Sequence, residues 1–193
     1  MEIFSRYSGE GKFRRRIEDS EGHNQTLNTN FMSEWLSRTE LLLGKEGVEK
    51  LKRAHVLVAG LGGVGAYAAE QLCRAGVGEM TLIDGDVTEV TNKNRQLLAL
   101  DSMLGQPKAD LMARRCRDIH PEIKLHIIND FIRDEQMIDV LKAAPYDYVV
   151  DAIDTLAPKI FLIYHSVHLG LPVVSSMGSG GKLYLSKIEV ADI

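Results

Sequence analysis

The chain is short of cysteine, of long apolar runs and of surplus positive charge, and each shortage closes off a class of function. Its two cysteines, Cys73 and Cys116, lie far apart and fit no C-x-x-C pattern. That argues against a disulfide framework and against a structural zinc within the chain, and makes a reducing cytoplasm the natural compartment. No run of about 18 apolar residues occurs, so no membrane span is expected. The basic residues near the amino terminus precede no apolar stretch, so a secretory signal is not expected either. The net charge is −4, so no global basic field draws the chain to nucleic acid, and any RNA contact needs a local patch. What remains, 193 residues with 45% hydrophobic and 26% charged content, suits one soluble α/β domain with a solid core.

Residues 1–28 are polar, charged and without apolar periodicity, and read as a flexible tail. From 29 to 193 the pattern is that of one nucleotide-binding domain. Phe31, Trp35, Leu36, Leu42, Leu43, Val48 and Leu51 suggest two short amino-terminal helices broken near Gly44 and Gly47. Strands and helices then alternate. Strands are expected at 55–60, 80–84, 125–130, 146–154 and 172–178, and helices at 65–75, 107–119, 134–142 and 156–169. The segment KLYLSKIEVADI can add a further strand. This order predicts an α/β fold: a doubly wound, mainly parallel, Rossmann-like sheet. The chain stops at Ile193 within what reads as a strand, so a continuation beyond that residue is expected.

Gly60-Leu61-Gly62-Gly63-Val64-Gly65 fits G-x-G-x-x-G between a strand and a helix, the context in which that motif binds phosphate. Glycines permit a tight turn and a close backbone approach, and the helix start offers free N–H groups and a positive dipole end. Asp84 closes the second strand, where a carboxylate can accept hydrogen bonds from ribose hydroxyls. These features alone say nucleotide, and NAD fits them as well as ATP.

The residues that follow favour ATP. Asp84-Gly85-Asp86, then Asn92, Arg95 and Lys108, come after the end of the second strand, on the side where this fold binds ligands. Arg95 and Lys108 can meet over a triphosphate and receive the charge that nucleotidyl transfer builds. The plain alternative is a pair of solvated surface charges. Asp151 and Asp154 end the fourth strand, where a carboxylate can hold Mg²⁺. Asp151 can equally cap the next helix or pair with a neighbour.

Together, GLGGVG, the DGD after the second strand, NKNRQ, Lys108 before a helix and DAID at the fourth strand resemble the ubiquitin-activating enzyme superfamily. The resemblance covers about residues 38–193. It implies that Gly60, Gly62, Gly63 and Gly65 line the nucleotide and that Asp84 binds the ribose, with Asp86 beside it. It implies further that Asn92, Arg95 and Lys108 contact phosphates and that Asp154 coordinates Mg²⁺. Arg38 matches an arginine that reaches into a partner subunit's ATP site, which implies a homodimer. RTELLLGKEGVEKLKRAHVLVAGLGGVG and the later SMGSGGK most resemble the branch of tRNA threonylcarbamoyladenosine dehydratases. That branch implies a tRNA substrate whose threonyl carboxylate is adenylylated and then attacked from within the same molecule, closing a ring with loss of water.

Relatives that pass a protein onward use a nucleophilic cysteine and often paired C-x-x-C motifs. Cys73 and Cys116 lie on apolar helix faces and read as buried small hydrophobes instead. The basic runs Lys12–Arg16 and Arg114–Arg117 read as a tail and a solvated helix face, with RNA contact as the alternative. His55, His120, His126, His165 and His168 show no metal-site spacing; His165 and His168 share a helix face but lack a third ligand. Three competing readings stay open. They are adenylylation of a ubiquitin-like sulfur carrier, an NAD(P)-dependent oxidoreductase, and a non-catalytic nucleotide-binding module.

Overall fold

Runs such as HVLVA leave no polar face, which is what a strand covered on both sides requires. In the computed structural model, which describes residues 35–178 and 184–192, that run is the central strand. The chain divides into two units at Trp35–Leu36, and the second carries the fold described here. The tail read at 1–28 and the helix read around Phe31 lie outside the described residues.

The elements are α1 (Ser37–Arg53), β1 (His55–Ala59), α2 (Gly65–Ala75), β2 (Glu79–Ile83), α3 (Lys108–Ile119), β3 (Lys124–Ile128), α4 (Glu135–Lys142), β4 (Tyr148–Asp151), α5 (Leu156–His168) and β5 (Val173–Ser175). The five strands are all parallel, in the order β3-β2-β1-β4-β5. The chain therefore runs outward from β1 to β3, then returns to the centre and winds the other way through β4 and β5. The reversal falls between β1 and β4, and the crevice at the carboxyl ends of those strands is where this architecture takes ligands.

Alternation along the strands distributes side chains between two cores. Val56, Val58, Met80 and Leu82 face α2 and α3, where Ala66, Ala69, Cys73, Met112 and Cys116 complete one core. Leu57, Ala59, Ile83 and Val149 face the other way and pack with Met137 and Leu141 of α4 and Leu162 of α5. Each fully buried leucine or methionine here contributes about 2 kcal/mol. Both cysteines are fully buried, as their apolar faces suggest, and the Cys73 thiol donates to the Cys116 carbonyl at 3.5 Å.

In the basic run Arg114 and Arg117 are exposed, as a solvated helix face requires, while Arg115 is paired. Arg115 Nε donates to Glu70 Oε2 at 2.5 Å, and Arg74 Nε donates to Oε1 of the same buried carboxylate at 2.7 Å. The two guanidinium groups hold the Glu70 carboxyl below the usual carboxylate range, Arg115 most strongly. The Arg115–Glu70 ion pair ties α2 to α3.

Two local features bear on the sequence reading. Gly44 sits at φ 71, ψ 168 inside α1 and kinks it, so the helix is two short pieces, as the glycines imply. The carboxyl-terminal segment differs from the expectation. Among its described residues a 3₁₀ turn, Leu185–Lys187, takes the place of a strand. Side chains there that are described are exposed, so nothing gives an added strand a buried face.

Candidate nucleotide-binding site

The β1–α2 turn is shaped by two glycines. Gly60 has φ 87, and a Cβ on it would lie 2.7 Å from the Ala152 carbonyl oxygen. A Cβ on Gly65 would lie 1.7 Å from the Gly60 carbonyl oxygen, so α2 can start this close to β1 only without a side chain. Gly62 and Gly63 are more open; the Arg95 side chain passes over Gly63, 3.4 Å from where a Cβ would stand. The loop thus presents bare backbone to the crevice at the start of a helix.

The Asp84 carboxylate is fixed by two backbone donors, Leu61 N–H at 2.6 Å and Asp86 N–H at 2.8 Å. Burial pushes its pKa up, and those two N–H groups oppose the shift. It links the glycine loop to the turn after β2. That turn is pinned in its own right. Val87 and Pro107 form an isolated antiparallel bridge, and Thr88 N–H donates to the Gln106 carbonyl at 3.0 Å. The pinning places Lys108, 4% exposed, with its ammonium 2.8 Å from Asp86 Oδ2.

The 3₁₀ turn Val90–Asn92 is closed by a capping box in which Asn92 Oδ1 accepts the Glu89 N–H at 3.1 Å. It sets up Arg95, whose guanidinium donates to Asn94 Oδ1 at 2.9 Å. Gln96 follows. It is 9% exposed, and its Oε1 has no protein partner among the described residues.

At the end of β4 the two aspartates part company. Asp151 is 1% exposed and pairs with the buried Lys159 ammonium at 2.5 Å; Ser175 Oγ donates to the same carboxylate, and Lys159 also donates to the Ser176 carbonyl at 2.9 Å. Asp154 is exposed and faces the crevice. One cavity of about 980 Å³ joins all these pieces, lined by Gly60, Gly62, Gly63, Asp84, Asp86, Asn92, Arg95, Gln96, Lys108 and Asp154. Its size and its mix of bare backbone, cations and carboxylates suit a nucleotide with its phosphates.

A sequence model described as ThiF family matches residues 36–191. This chain belongs to the ThiF family. Among its relatives is the tRNA threonylcarbamoyladenosine dehydratase of Bacillus subtilis, 45% identical over 157 residues, which cover 81% of this chain and 61% of the relative. The enzyme of that name from Escherichia coli is 40% identical over 155 residues, covering 80% of this chain and 58% of the relative. A crystal structure of the Escherichia coli tRNA N6-threonylcarbamoyladenosine dehydratase in complex with ATP superposes with a TM-score of 0.80 at 39% identity, covering 83% of this chain and 65% of that one. The chain thus spans about three-fifths of the length of the curated relatives it matches.

In this ThiF chain the residues read from the sequence fall into three groups. Gly60, Gly62, Gly63, Asp84, Asp86, Asn92, Arg95, Lys108 and Asp154 meet in one cavity. Gly65 does not line it; a Cβ there would lie 1.7 Å from the Gly60 carbonyl oxygen, which gives this glycine a packing role. Arg38 lies outside the cavity too, exposed in the first turn of α1.

The sequence reading missed the loop after β3. Asp130, Phe131, Arg133 and Asp134 also line the cavity, and Asp134 holds a positive φ of 49, a strained value for a side-chain-bearing residue. The one available signal was position, since NDFIRDE directly follows a strand end. Gln96, within NKNRQ, also lines the cavity, and an uncharged amide gives the sequence no mark of it.

Proposed function

We propose that this chain is the ATP-binding, carboxylate-adenylylating part of a tRNA threonylcarbamoyladenosine dehydratase that works in the cytoplasm. The observation that carries the reading is the single cavity at the sheet's reversal point, which unites the glycine loop, Asp84, Arg95, Lys108 and Asp154. Identity of 45% to a relative of that name supports the substrate class.

In this reading the bare backbone at Gly62 and Gly63, at the amino end of α2, cradles phosphate. Asp84, oriented by its two N–H donors, accepts from the ribose. The Gln96 carbonyl, buried and without a protein partner among the described residues, takes a donor from the nucleotide. A substrate carboxylate oxygen attacks the α-phosphate; an O–P bond forms and pyrophosphate leaves. Arg95 and Lys108 receive the charge that develops, Arg95 as a fork and Lys108 as a point charge. A nucleophile within the same modified adenosine then attacks the acyl carbon, and AMP leaves. The substrate loses one water, matched by conversion of ATP to AMP and pyrophosphate. Holding both groups in one molecule supplies proximity, so no cysteine is needed.

Asp151 is committed to Lys159, which leaves Asp154 as the carboxylate at this strand end suited to Mg²⁺. Mg²⁺ bound there would neutralise phosphate charge. Arg38 acts across a homodimer in this proposal. Its place outside its own cavity and the exposed Leu41, Leu42 and Leu43 beside it support that role.

Mixing the chain with Mg-ATP and tRNA bearing threonylcarbamoyladenosine, then weighing the digested nucleosides, tests the proposal. Loss of one water with AMP formed is expected. An unchanged mass despite ATP binding would reassign the substrate to a protein, such as a sulfur carrier ending in Gly-Gly. Preference for NAD over ATP would reject adenylylation altogether.

A further inference from the structure

The amino ends of β1, β2 and β3 carry a cluster that the nucleotide site does not use. Register pairs His55 with Glu79 and Thr81 with His126. Alternation puts all four on the face that Leu57 and Ile83 share, at the end of the sheet away from the cavity. Glu79 Oε1 sits between the two imidazoles, 3.6 Å from His55 Nδ1 and 2.8 Å from His126 Nε2. All three donor atoms lie within 4.8 Å of one another.

The inner histidine is held in place. His55 is 5% exposed, Tyr146 packs on its ring at a centroid distance of 4.6 Å, and its Nε2 lies 2.9 Å from the Thr81 hydroxyl. With Nε2–H donating to Thr81, the Nδ1 lone pair is turned toward the Glu79 carboxylate. In that tautomer two electron-pair donors, His55 Nδ1 and Glu79 Oε1, stand 3.6 Å apart. A hydrogen bond fixing the distal ring nitrogen is the usual support of a metal-bound histidine. Burial pushes the His55 pKa down, against the pull of the Glu79 and Asp147 carboxylates. Asp147, which accepts the His55 backbone N–H at 2.8 Å, adds negative charge, and Lys124 stands next to Glu79 in the register as the opposing charge.

We propose that His55 Nδ1, Glu79 Oε1 and His126 Nε2 form a binding site for one zinc-class divalent cation. Two imidazoles and a carboxylate are a zinc donor set. Zinc–ligand bonds of about 2.0–2.2 Å at tetrahedral angles put ligand atoms about 3.4 Å apart, a spacing that the observed 2.8 and 3.6 Å bracket. The His126 side chain is 56% exposed, so ions can enter and a fourth position opens to solvent. Bound there, the cation would cross-link three neighbouring strands.

The test uses the chain freed of any affinity tag and treated with chelator. Zn²⁺ is titrated by calorimetry and Co²⁺ by visible absorption. One saturable equivalent is expected, with a rise in the thermal unfolding midpoint. His126→Gln, at an exposed position, and Glu79→Gln should each weaken binding on the order of 10-fold or more and change the Co²⁺ spectrum. His168→Gln, on α5, should do neither. No saturable equivalent in the parent chain would overturn the site. So would unchanged binding in both variants that retain the parent's circular dichroism.

Discussion

At the carboxyl end of the sheet the polar groups ride on loops; at the amino end they ride on the strands themselves. The first set is pre-paired. Lys108 rests on Asp86, Arg95 on Asn94, and Asp84 on two backbone N–H groups. The second set is brought together by strand register, with Glu79 Oε1 2.8 Å from His126 Nε2 and 3.6 Å from His55 Nδ1. Loops permit a varied set of donors and acceptors at one crevice, because each comes from a different connection. Strands offer less variety but a fixed spacing, which is what a small ion demands. The same sheet thereby supports a broad polyatomic site at one end and a point site at the other.

That contrast can be broken from either side. Lys159→Ala should have the largest effect, because it strands the Asp151 carboxylate, 1% exposed, without its partner. Denaturant unfolding should register about 4 kcal/mol of lost stability, and a loss below about 1 kcal/mol would mean that this buried pair does not anchor the carboxyl end. Gly65→Ala should cost about 3 kcal/mol, because its Cβ meets backbone that cannot step aside; ATP binding should fall with it. Arg95→Ala should leave the melting curve alone and cut AMP formation on the order of 100-fold, about 2.7 kcal/mol, and turnover at the parent rate would remove Arg95 from the charge-receiving role. Thr81→Val should be the mildest, about 1 kcal/mol from a lost buried hydrogen bond to His55. Its ATP affinity should match the parent's, since the change lies at the other end; a shift in affinity would show the two ends to be coupled.

How legible each end is from sequence follows the same division. The parallel sheet and the glycine loop announce themselves, because HVLVA and GLGGVG are local patterns with one structural solution. Arg95, Lys108 and Asp154 were readable from their places after strand ends. Pairing with a neighbour was one of three readings open for Asp151, and Lys159 could not be named, since a residue eight positions on lies on a helix whose rotation the sequence does not state. The packing role of Gly65 is not legible, because the motif marks a glycine without saying whether ligand or backbone needs the space. The cluster at the amino end was invisible. His55, Glu79 and His126 are spread over 71 residues, and only the strand register brings them together.

The ion pair between Lys108 and Asp86 has a consequence for what the crevice lets in. An incoming anion does not meet a bare ammonium; it must share one with a carboxylate 2.8 Å away. A small ion such as orthophosphate or sulfate touches few other groups there and gains little from the exchange. A larger ligand that also engages the glycine loop, Asp84 and Gln96 offsets that competition through its remaining contacts. In the proposed nucleotide site the built-in counter-ion would act as a filter, lowering occupancy by abundant simple anions while leaving the crevice open to polyfunctional ones.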